Sequence, residues 1–186
     1  MINFFKLSLN MRDARYKLVR FRFNEGKLKK FSDIILLVPK SIIADDLGKK
    51  KERFTQLMEH PEGFTVKELL LVGRFCALTL PEMLQIIEED CKSFKTESLK
   101  NKDDRYQDIR NMFNTGDIKM LKDIFEFIPR YVVASHLGIK RQRLGRLINQ
   151  VENFQVRELL ELGGLFDLSI KDILHLTAQS YAKRKN

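Results

Sequence analysis

The sequence predicts an all-α protein built from two tandem copies of one domain. The 186 residues match themselves when shifted by 90 without a gap, and from Phe4 to Leu84 29 of 81 positions are identical in the second copy. Average composition would produce about one match in sixteen. Within each copy, apolar residues recur three and four apart, the period of an amphipathic helix. The nine glycines and four prolines are few, and several fall where such a stretch ends. Copies of this size are domains rather than solenoid units, which divides the chain into 1–90, 91–180 and a short basic tail, 181–186.

The elements follow in order. Tyr16, Val19 and Phe23 run into Asn24-Glu25-Gly26, a helix closed by a residue suited to the left-handed conformation. Leu28, Phe31, Ile34, Ile35 and Val38 form a second helix up to Pro39, which lacks an amide and so both stops one helix and is permitted as the first residue of the next. After a short third helix and Gly48, Phe54 and Leu57 mark a fourth. A loop, His60-Pro61-Glu62-Gly63, leads to Val66, Leu69, Leu70 and Phe75, and then to Leu80, Leu84 and Ile87. Six helices and no strand are expected per copy. The Lys-, Ser-, Asp- and Asn-rich segment 91–104 reads either as a linker or as a joining helix, with Phe94 and Leu99 matching Phe4 and Leu9.

Charge and side-chain chemistry narrow the functional class. Thirty-four Lys plus Arg against twenty-five Asp plus Glu leave a net charge of +9, which favours a polyanionic partner. No apolar run approaches the ~18 residues of a membrane span, and the opening MINFFKLSLN lacks the layout of a signal peptide. A cytoplasmic protein with no membrane partner is expected. Cys76 and Cys91 are too few for a metal quartet and read as reduced core residues. His60, His136 and His175 are scattered, and Glu88-Glu89-Asp90 reads as a solvated helix end. With no phosphate loop and no nucleophile elbow, no catalytic residue, metal site or cofactor is expected. Phe64 and Phe154 read as packing plugs.

Lys40-Ser-Ile-Ile-Ala44-Asp-Asp-Leu47-Gly48 and Arg130-Tyr-Val-Val-Ala134-Ser-His-Leu137-Gly138 are each followed by a basic helix with apolar residues six and nine past the glycine: Phe54 and Leu57, Leu144 and Leu147. Two helices joined through a tight turn need a small residue where they approach and a residue tolerant of positive φ in the turn. This pattern resembles the helix-turn-helix of the phage-repressor and Cro family. The resemblance continues through Thr65 to Leu84 and Gln155 to Leu174, covering roughly 50 residues per copy. Ile139 matches the family's apolar position after the turn glycine, and Lys49 departs from it. The Arg15-Tyr16 to Arg20 helix is an addition to the minimal domain. It either closes the core or lies along DNA, since residues 1–30 hold nine basic and two acidic side chains.

The resemblance implies two tandem repressor-like domains that each place one helix in the major groove of double-stranded DNA, and a sequence-specific transcriptional regulator. It assigns base reading to Lys50, Lys51, Glu52 and Gln56 and to Lys140, Arg141, Gln142 and Arg146. Lys40 and Arg130 match the family's phosphate clamp, and Arg53 and Arg143 lie against phosphate on the same two helices. From Ile139 to Gln150 the second helix carries +4 with no acid, so copy two is the better reader: Arg bridges guanine and Gln bridges adenine. The two helices differ, so any composite site is asymmetric. A homodimer is compatible with this reading. The alternative is a helical protein-interaction module that keeps the scaffold without binding DNA.

Overall fold

Helices and turns make up the computed structural model, which describes residues 4–94, 104–173, 175 and 176 and contains no extended strand among them. Two units are distinguished, Met1–Phe94 and Lys95–Asn186. In unit one the expected helices are α1 (Phe4–Asn24), α2 (Phe31–Leu37), α3 (Lys40–Asp46), α4 (Lys51–Glu59), α5 (Val66–Phe75) and α6 (Leu80–Asp90). Unit two holds α7 (Asp104–Thr115), α8 (Ile124–Phe127), α9 (Arg130–His136), α10 (Arg141–Asn149) and α11 (Val156–Phe166), and residues 170–173 are helical again. No single helix among the described residues is long and apolar enough to cross a membrane. The basic tail and most of segment 91–104 lie outside the described residues.

Local chemistry explains the boundaries and adjusts some of them. Pro39 and Pro129 occupy the N-cap position, one residue before the helix, and the Pro39 carbonyl accepts from the Ile42 amide at 2.9 Å. Leu28 is buried but precedes α2, which starts at Phe31. The stretch corresponding to α2 in unit two begins as a 3₁₀ turn, Leu121–Asp123, before α8. His60 to Gly63 is also a turn of 3₁₀ helix at Pro61–Gly63. Asp90 is more than a solvated helix end: its carboxylate accepts the Phe31 amide at 2.5 Å, so α6 caps the start of α2.

The core of unit one is aromatic at its centre. Phe31, Phe54 and Phe64 are fully buried, and Phe64 lies 4.8 Å from Phe31 and 6.1 Å from Phe54 between ring centroids. Phe154 and Phe166 are equally buried in unit two. Phe21 and Phe127 depart from the expectation that phenylalanine is mainly core, being 56% and 46% exposed. Both cysteines are free and buried, and burial pushes each thiol up to about 12.

Helical glycines differ in what they do. After α5 the Leu78 amide donates back to the Gly73 carbonyl at 2.7 Å, and after α11 Leu168 does the same to Gly163 at 2.9 Å. This folds the chain so tightly that a Cβ on Gly73 would stand 2.7 Å from the Leu78 carbonyl oxygen, and one on Gly163 2.9 Å from that of Leu168. Gly145, inside α10, has nothing within 4 Å of such an atom. Gly163→Ala is therefore expected to destabilise unit two by about 1–3 kcal/mol, and Gly145→Ala to stabilise it by about 1 kcal/mol. Thermal unfolding followed by circular dichroism checks both signs; equal effects would contradict the contact geometry.

Candidate nucleic-acid interface

The turn glycines set this surface. Gly48 has φ of 63° and Gly138 of 62°, with open space where a Cβ would stand, so backbone conformation rather than crowding selects glycine. Past the turn, the Lys49 amide donates to the Ala44 carbonyl at 2.8 Å and the Ile139 amide to that of Ala134 at 3.0 Å. These bonds close the turn after α3 and α9, and the buried Ala44 and Ala134 let the helices approach. Lys50 and Lys140 then cap α4 and α10 in extended conformation.

Burial of one face of each following helix determines what remains outside. Phe54 and Leu57 of α4, and Leu144, Leu147 and Ile148 of α10, point into their units. The side chains assigned to base reading, Lys50, Lys51, Glu52 and Gln56 in unit one and Lys140, Arg141, Gln142 and Arg146 in unit two, are all exposed. So are Lys40, Arg53, Arg130 and Arg143. Arg130, Lys140, Arg141, Gln142 and Gly145 line a single open depression in unit two. Arg130 thus stands beside the leading residues of α10, with no acid among the residues of that depression.

Sequence reasoning missed two residues, Glu68 and Glu158. Each sits at the third position of its helix and caps it: Glu68 accepts the Thr65 amide at 2.8 Å, and Glu158 accepts the Gln155 amide at 2.9 Å. Thr65-x-x-Glu68 was the available signal for a capping box. No local pattern indicated the second partner. Glu158 also accepts Nη2 and Nε of Arg143 at 2.8 and 3.2 Å, whereas Glu68 pairs with Lys49.

The first helix, α1, contributes to the core of unit one. Tyr16 and Val19 are buried, and the Tyr16 hydroxyl donates to Asp46 at 2.6 Å, joining α1 to α3. Burial, reinforced by that bond, raises the pKa of the Tyr16 hydroxyl. Arg12 is engaged by Asp46 at 3.3 Å, and Arg20 by Glu82 at 2.7 Å. Partial desolvation pushes the Glu82 carboxyl upward, but hydrogen bonds from Thr79 and Arg20 outweigh it and hold the group below its ordinary range. In unit two the Tyr106 hydroxyl lies 2.8 Å from Nδ1 of His136.

The chain has no match among protein-family models, characterised proteins or solved structures. Among the described residues no three His, Cys, Asp or Glu side chains are grouped to hold a metal.

Proposed function

We propose that this is a sequence-specific double-stranded DNA-binding protein, a cytoplasmic transcriptional regulator of two tandem repressor-like domains. α4 and α10 enter the major groove. The observation that carries the reading is α10 itself: Leu144, Leu147 and Ile148 are buried, while Arg141, Gln142 and Arg146 are exposed, and Arg141 and Gln142 share one depression with Arg130. A helix anchored by one apolar stripe and presenting cations and an amide on the other side suits a groove lined by phosphates and base edges. Joining two readers in one chain raises avidity through effective concentration when both reach their half-sites.

Titration of random duplex at several salt concentrations tests this. With about three phosphates neutralised, affinity falls roughly fortyfold between about 50 and 200 mM salt. A flat or absent response removes the DNA reading. The protein-interaction alternative is favoured by one observation, the exposure of Leu36 at 84% and Tyr131 at 62%. It gains if partners are retained from nuclease-treated extract while random duplex is not bound.

A further inference from the structure

We propose that Arg53 and Arg143, which occupy the same place in the two copies, perform different tasks. Arg143 is a strut that ties α10 to α11, and Arg53 is a phosphate contact. This rests on the DNA-binding reading for Arg53, whereas the strut stands on geometry alone.

The capping glutamates set the difference. In each copy Oε2 accepts the amide that precedes the helix, from Thr65 in unit one and from Gln155 in unit two. Oε1 then needs a cation, because the Glu158 side chain is only 6% exposed and an ionised oxygen left bare there is strongly disfavoured. The residue after the turn glycine decides which cation arrives. In unit one that residue is Lys49, whose ammonium pairs with Oε1 of Glu68. Arg53 is then released, and its guanidinium donates to Gln56 at 3.1 Å on the exposed face of α4. In unit two the same residue is Ile139, which has nothing to donate. Arg143 turns back instead and binds Oε1 through two nitrogens.

The consequence is an unequal division of phosphate contacts. Unit one offers Lys40 and Arg53, while unit two offers Arg130 and commits Arg143 to holding its reading helix in place.

Two measurements on the full chain test this: the salt dependence of duplex affinity and the thermal midpoint. Arg53→Ala is expected to reduce the slope of log affinity against log salt by about 0.9 and to leave the midpoint in place. Arg143→Ala is expected to leave the slope unchanged and lower the midpoint by several degrees. Adding Ile139→Lys to Arg143→Ala is expected to restore the midpoint, since it installs the cation that unit one uses. If Arg143→Ala does not fold, Arg143→Met keeps the aliphatic stem and serves in its place. Loss of slope on truncating Arg143, an unchanged slope for Arg53→Ala, or no rescue by Ile139→Lys would each overturn the proposal. Absence of duplex binding by the unaltered protein would instead remove the DNA reading and with it the task given to Arg53. The midpoints would still decide the strut.

Discussion

Phe64→Ala is expected to destabilise unit one by about 3–5 kcal/mol, the range for removing a fully buried aromatic ring. The ring has no solvent exposure and contacts Phe31 and Phe54, so its removal strips two helices, α2 and α4, of a common partner. The neighbours are themselves large and rigid, which limits how far they can collapse into the space. α4 is the helix that presents Lys50, Lys51, Glu52 and Gln56, and the same substitution is expected to loosen that face. Denaturant unfolding followed by circular dichroism measures the loss, and hydrogen exchange localises it to unit one. A loss below about 1 kcal/mol would show that the ring is not central to the core.

Arg141→Ala and Arg130→Ala are expected to weaken DNA binding in different ways. Both side chains line the same depression, but Arg141 opens α10 and Arg130 opens α9, and the proposed binding mode gives base edges to the first and phosphates to the second. Removing a guanidinium that bridges a guanine costs about 1–3 kcal/mol and relaxes preference at one base pair. Removing a phosphate contact weakens every sequence alike. Selection of bound sequences from a random duplex pool, repeated with each variant, separates the two. Uniform loss for Arg141→Ala would take it out of base reading.

Much of the fold was legible because its signals are local. Three- and four-residue apolar spacing placed α4 and α5, since a helix brings residues at that spacing onto one face. Gly48 and Gly138 marked the turns because positive φ is a property of a single residue. α3 and α9, and α4 and α10, have bounds ninety residues apart, the interval at which the sequence matches itself. The capping action of Asp90 on α2 was not visible. It joins residues 59 apart in sequence, and no periodicity relates a helix end to a distant amide.

The candidate surface divides along the same line. Residue order alone determined that α4 and α10 carry the cations and that their apolar residues lie on one stripe, because side-chain direction on a helix follows from spacing. Three-dimensional packing decided which of those cations remain available. Arg143 and Arg53 are the same residue type at the same place in the repeat. They differ because the carboxylate they compete for is supplied by the next helix, and because Lys49 or Ile139 either satisfies that carboxylate or leaves it to be satisfied. A buried charge takes whichever partner can reach it, and reach depends on where the helices pack.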